Sequence, residues 1–176
     1  MPRIKVIEGF IEPKDCKLAI ELISKSELIP FKTNQAASVA PKNPEITALL
    51  KKYSDKCLEL HKEWHKLQVP IYTFEAFLTL WGVGASAGVH IDNHVGAENV
   101  QLSSVLYFND EFEGGEIYFP EFNFVHKPKA GDGIFFPAFT KDANYEHGVT
   151  EVTNGKRYTM GLWHTQFENL ADKELL

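Results

Sequence analysis

The chain has two textures, and the change falls near Val69-Pro70. Before it, apolar positions recur at helical spacing. In Glu12–Ile23, Leu18, Leu22 and Ile23 share one face, and Pro13 stands where a helix's first turn tolerates proline, so the spacing predicts a helix. From Pro44 to Leu67, the residues Ile46, Leu49, Leu50, Tyr53, Leu58, Leu60 and Trp64 form a broad apolar stripe with lysines and glutamates between them, predicting a second helix. Pro30 to Asn43 reads as a loop. After Pro70 the period shortens to two. Tyr72–Trp81, Val89–Asp92, Gln101–Phe108, Glu116–Phe119, Asn123–His126, Gly133–Phe136, His147–Val152 and Arg157–Gln166 read as strands, punctuated by glycine, asparagine, aspartate and proline. About eight short strands with no helix between them predict a mainly β fold, an antiparallel barrel or jelly roll with helices packed on one outer face.

With 176 residues, 44% hydrophobic and 24% charged, the composition fits one globular domain over 1–176. Residues 1–70 would supply supporting helices and a first strand, and 71–170 the jelly-roll core. The formal net charge of −6, with Lys51-Lys52 and Lys156-Arg157 as the adjacent basic pairs, argues against a nucleic-acid partner. No apolar run approaches the roughly 18 residues of a membrane span, and Met1 to Val6 does not resemble a signal peptide, so no membrane partner and a cytoplasmic location are expected. Cys16 and Cys57 lack the spacing of a disulfide framework or zinc cluster and read as buried thiols.

The chemistry-bearing residues lie in the strand-rich half. His90-Ile91-Asp92 puts an imidazole and a carboxylate on one face of a strand, with Ile91 on the other. His147, at the head of a late strand, is a candidate third ligand, and two histidines with one carboxylate suit iron(II) with positions left open. Alone, H-x-D reads as readily as a surface turn. Ten residues after His147, Arg157 shares a strand face with Thr159, Gly161 and Trp163, while Lys156 takes the other face with Tyr158 and Met160. An arginine pointing into a barrel requires an anion, and its planar fork matches a carboxylate; a strand-end arginine with its head in solvent is the alternative.

Read in order, His90-Ile91-Asp92, Val105 to Asp110, Glu113-Gly114-Gly115-Glu116-Ile117-Tyr118-Phe119-Pro120, Lys127 to Phe136, His147-Gly148-Val149, Arg157 and Trp163 resemble the 2-oxoglutarate and Fe(II)-dependent oxygenase superfamily, prolyl 4-hydroxylase-like branch. The resemblance runs from about Leu80 to Trp163. It implies a double-stranded β-helix (jelly roll) core supported by N-terminal helices, with Fe(II), 2-oxoglutarate and O2 as cofactor and co-substrates and ascorbate as a candidate reductant. His90, Asp92 and His147 match the iron ligands, and Arg157 matches the residue that pairs with the far carboxylate of 2-oxoglutarate. Tyr107, Ile117, Thr159 and Trp163 match the co-substrate pocket, although Tyr107 and Ile117 also read as plain core residues. The implied reaction is hydroxylation of a C–H bond, on a prolyl residue of a protein or peptide substrate. Ala87 and Trp81 stand where the family often has tyrosine, which keeps another protein residue or a small metabolite open as substrate. From a different class, a metal-binding or sensing module without turnover is the alternative.

The glycines of Glu113-Gly114-Gly115-Glu116 also read mechanically, as positions needing positive φ and close backbone approach. His94 reads as a solvent or substrate contact, the His61/His65 pair as a solvated helix face, and His126 and His164 as strand histidines without a role. The loops from Asn93 to Val100 and from Pro137 to Asn144 are candidates for closing over substrate.

Overall fold

A computed structural model describes residues 3–30, 36–39, 43–93 and 99–176. Both expected helices form. Helix α1 (Pro13–Lys25) starts on Pro13, and α2 (Pro44–His65) starts on Pro44 behind Asn43, whose side chain accepts from Ile46 N at 2.9 Å. The chain leaves α2 through Lys66, a left-handed residue at φ 53°.

Among the described residues thirteen strands accompany them: β1 (Lys5–Ile7), β2 (Leu28–Pro30), β3 (Ala36–Val39), β4 (Tyr72–Trp81), β5 (Ala87–His90), β6 (Leu102–Tyr107), β7 (Phe112–Glu113), β8 (Ile117–Phe119), β9 (Phe124–His126), β10 (Gly133–Pro137), β11 (His147–Val149), β12 (Asn154–Gly155) and β13 (Arg157–Thr165). A seven-stranded sheet runs β1-β10-β6-β13-β4-β3-β2, a four-stranded sheet runs β5-β11-β8-β9, and β12 pairs with β7. All pairings are antiparallel.

Strand parity divides the core. On β13 the even residues Met160 and Leu162, with Ala76 and Leu78 of β4, pack under the helices against Leu22, Ile23, Leu50, Tyr53 and Cys57. The odd residues of the same strands face the small sheet, where Tyr107, Ile117, Phe119, Ile134 and Phe136 fill the space between sheets. Among the described residues no helix is long and apolar enough to cross a membrane.

Two expectations need correction. The loop reading of Pro30 to Asn43 misses β3, which pairs with β4 through Ala36↔Trp81, Ala37↔Leu80 and Ser38↔Thr79. A four-residue strand without alternation takes its stability from the neighbouring β4 and gives little local signal. Nor is the His61/His65 pair a solvated face. His61 is fully buried, and its Nε2 lies 2.9 Å from Ser104 Oγ, which in turn lies 3.0 Å from His164 Nε2. His164 Nδ1 continues to Thr73 Oγ1 at 3.2 Å, so a polar chain ties α2 to the large sheet.

Candidate active site

His90 ends β5 and His147 opens β11, and the two are direct cross-strand partners. Their ring centres stand 4.5 Å apart. Asp92, two residues beyond His90, returns to the same side: its Oδ1 is 3.6 Å from His90 Nε2 and 3.8 Å from His147 Nε2. One ligand atom from each residue falls within 4.8 Å of the others, a spacing that could hold a metal ion.

The backbone sets the imidazole orientation. His90 Nδ1 is 2.8 Å from Gly88 O, and His147 Nδ1 is 3.0 Å from Tyr145 O. A carbonyl only accepts, so each Nδ1 carries a proton and each Nε2 is turned toward Asp92, a donor to the carboxylate when protonated and a potential metal ligand when not. The His147 ring is further wedged between Phe136 and Phe119, at centroid distances of 4.8 and 5.4 Å. Burial would raise the Asp92 pKa, but the two imidazoles outweigh it and hold the carboxyl below its ordinary value. Asp92 in turn raises His90, whereas burial lowers His147.

The other end of the site is built on Arg157, the first residue of β13 and only 2% exposed. Its guanidinium carbon lies 4.8 Å from the Trp81 ring centre and 5.1 Å from that of Tyr107. Among the described residues no carboxylate reaches it, and both Arg157 Nε and Tyr107 Oη lack a hydrogen-bond partner. Burial lowers the Arg157 pKa and raises that of Tyr107. The double glycine supports this end: Gly114 and Gly115 adopt φ of +72° and +70°, and a Cβ on Gly114 would stand 1.9 Å from Glu151 O.

A cavity of about 320 Å³ joins the two ends. His90, Asp92, His147, Arg157, Ile117, Thr159 and Trp163 all line it, and Tyr107 stacks against Arg157 without itself lining the cavity. Ala87 forms part of the wall. The sequence reading passed over Thr79 and Phe77. Thr79 Oγ1 is 2.6 Å from Thr159 Oγ1, and the Phe77 ring lies against Gly161 and edge-on to Trp163 at 5.3 Å. Alternation along β4 carries the signal for both, since Glu75, Phe77, Thr79 and Trp81 share one face. His94 lies outside the described residues, as do 94–98 of the loop from Asn93. The stretch from Pro137 to Asn144 borders a different, larger cavity.

Among known proteins, human prolyl 3-hydroxylase 3 is 38% identical to this chain over 85 residues, 42% of this chain and 11% of that protein. The match thus spans about a tenth of the length of such prolyl 3-hydroxylases. Two solved structures share its fold. One is a viral collagen prolyl hydroxylase from Paramecium Bursaria Chlorella virus-1 in complex with 2-oxoglutarate (TM-score 0.71, 20% identity, 94% of this chain and 96% of that chain). The other is an oxidoreductase of the 2OG-Fe(II) oxygenase family from Burkholderia pseudomallei (TM-score 0.76, 13% identity, 93% of this chain and 84% of that chain). The family model described as 2OG-Fe(II) oxygenase superfamily matches residues 76–165, just over half the chain, from the strand that carries Trp81 to the end of the strand that carries Arg157. The chain belongs to the 2OG-Fe(II) oxygenase superfamily.

Proposed function

We propose that this chain is an Fe(II)- and 2-oxoglutarate-dependent dioxygenase that hydroxylates a prolyl residue of a protein or peptide, with release of succinate and carbon dioxide. Arg157 carries the reading: a buried guanidinium without a carboxylate partner among the described residues shares one cavity with two histidines and an aspartate. A buried cation is costly without an anion. The site therefore fits an anionic ligand whose carboxylate matches the guanidinium fork.

His90 Nε2, His147 Nε2 and the Asp92 carboxylate would hold Fe(II) on one side, leaving positions for 2-oxoglutarate and O2. Bound iron, with these co-substrates, supplies the oxidising chemistry. The protein's part is positional. Arg157, with the Tyr107 and Thr159 hydroxyls on the same sheet face, fixes the far carboxylate, and Ile117 and Trp163 wall the cavity and exclude water. The two Nδ1–H bonds to backbone carbonyls keep both imidazoles turned inward. Asp92 would fill the ligand position that a halogenase must keep free, which favours hydroxylation. Ascorbate as reductant and a cytoplasmic location belong to the same reading.

Proline as target is supported by the similarity to the prolyl 3-hydroxylases. Ala87 in the cavity wall favours a second reading, in which the extra room admits another residue or a small metabolite. The test is incubation with Fe(II), ascorbate, labelled 2-oxoglutarate and proline-containing peptides. Substrate-dependent succinate and a peptide gaining one oxygen atom are expected, both lost in Asp92→Ala, and hydrolysis would separate 3- from 4-hydroxyproline. Absence of succinate with every peptide, unaltered by Asp92→Ala, sinks the proposal.

A further inference from the structure

Trp81 and Arg157 face each other across β4 and β13, and Thr79 faces Thr159 two residues along the same ladder. All four side chains line the cavity. Trp81 lays its ring against the guanidinium, and its Nε1–H donates to Thr79 Oγ1 at 3.0 Å. Thr79 Oγ1 lies 2.6 Å from Thr159 Oγ1.

Donor accounting orders this chain. An indole N–H can only donate, so the Thr79 oxygen accepts from Trp81, and each threonine has a single proton to give. The described residues offer neither hydroxyl a further partner, and both threonines are buried. Either direction leaves one proton without a protein acceptor, but a hydroxyl that already accepts a hydrogen bond is the better donor, so the bond from Trp81 orders Thr79 as donor to Thr159. The Thr159 proton is then the one left to donate into the cavity. It sits two residues along the strand from Arg157 and directly across from Tyr107, whose hydroxyl also lacks a partner among the described residues.

We infer that Trp81 is a positioning residue for the far carboxylate of the co-substrate: its ring face holds the Arg157 guanidinium, and its N–H, relayed through Thr79, commits the Thr159 hydroxyl to donating into the same end of the cavity. The inference rests on the reading of Arg157 as the carboxylate site. Trp81 thus does more than fill space. It sets the preference for a 2-oxo acid with a second carboxylate over one of equal length without it.

The experiment titrates the full chain, loaded with redox-inert Mn(II), with 2-oxoglutarate and with 2-oxopentanoate by calorimetry. Wild type binds 2-oxoglutarate more tightly. Trp81→Phe, which keeps a ring but loses the N–H, weakens 2-oxoglutarate about fivefold to tenfold, the size of one hydrogen bond, and leaves 2-oxopentanoate within about twofold. Thr79→Val, which leaves the ring untouched, gives the same selective loss. Thr159→Val does likewise, Thr159→Ser restores binding, and adding Trp81→Phe to Thr159→Val weakens binding little further. Unchanged affinity in both Trp81→Phe and Thr79→Val, or equal weakening of the two acids, overturns the relay while leaving the Arg157 reading intact. A wild type that does not prefer 2-oxoglutarate overturns both.

Discussion

Gly115 and Arg157 occupy each other's space: a Cβ on Gly115 would stand 2.9 Å from Arg157 Cδ and 3.1 Å from the Phe112 ring. The arginine enters the cavity past a residue that has no side chain. At φ +70° Gly115 is also in a region that L side chains rarely adopt.

Gly115→Ala is therefore expected to cost stability twice, through backbone strain and through displacement of the Arg157 stem. A loss of about 2–4 kcal/mol follows from adding strain and overpacking. Gly9→Ala is the control: Gly9 has φ +65° but nothing within 4 Å of its Cβ position, so only the backbone cost of about 1 kcal/mol applies. Urea denaturation of the two variants checks the difference. Equal losses at the two glycines would show that the Arg157 contact carries no energy.

Asp92→Ala removes the one carboxylate of the three-residue cluster while leaving both histidines anchored through Nδ1. Affinity for Fe(II) or Mn(II), measured by calorimetry, is expected to fall by more than about 100-fold, beyond the 10–100-fold typical when an outer hydrogen-bond partner of a ligand is lost. Retention of metal binding in this variant would move the metal site elsewhere.

The parts of the site legible in the sequence share a physical basis. The Arg157, Thr159, Gly161, Trp163 series depends on the two-residue period of a strand, and H-x-D keeps the same side although the strand stops at His90, short of the expected Asp92; the structure brings all of these residues to one cavity. The double glycine was legible because positive φ leaves a compositional mark. What escaped depends on contacts between distant segments. Strand β3 exists because β4 offers it an edge, and His61 is buried because Ser104 and His164, 43 and 103 residues further on, meet it under the helix. Thr79 gains its partner only when β4 pairs with β13. Helical periodicity placed His61 next to lysines and glutamates but held no information about what the opposite sheet would present.

Tyr53→Phe tests how the two helices are held together. The Tyr53 hydroxyl donates to the buried Asp15 carboxylate at 2.7 Å, and Lys52 reaches the same oxygen at 2.7 Å. Removing the hydroxyl leaves Asp15 only its lysine, so a loss of about 1.5–3 kcal/mol is expected, the range for a hydrogen bond to a charged group. Chemical denaturation measures it, and a change below about 0.5 kcal/mol would mean that Lys52 alone satisfies the carboxylate.

Acid sensitivity should arise from the buried histidine chain. Burial lowers His164 from its ordinary value to about 3, and lowers His61 well below its own, helped by the positive charge that His164 and His65 would carry. The folded protein thus keeps both rings neutral where the unfolded chain, with ordinary histidine pKa near 6.5, takes up protons. Stability from each ring is complete above about pH 6.5 and is lost as pH falls toward the folded value, at up to about 1.4 kcal/mol per pH unit per histidine. His65, whose pKa falls to about 4, together with His126 and His147, adds slope of the same sign, and His90, raised by Asp92, opposes it. His164→Gln isolates one member, because glutamine can still hydrogen-bond Ser104 yet cannot titrate. Between pH 6.5 and 5 the denaturation free energy of this variant should decline less steeply than that of wild type, by an amount approaching one proton at the acid end. Parallel curves would mean that His164 takes up its proton inside the folded core.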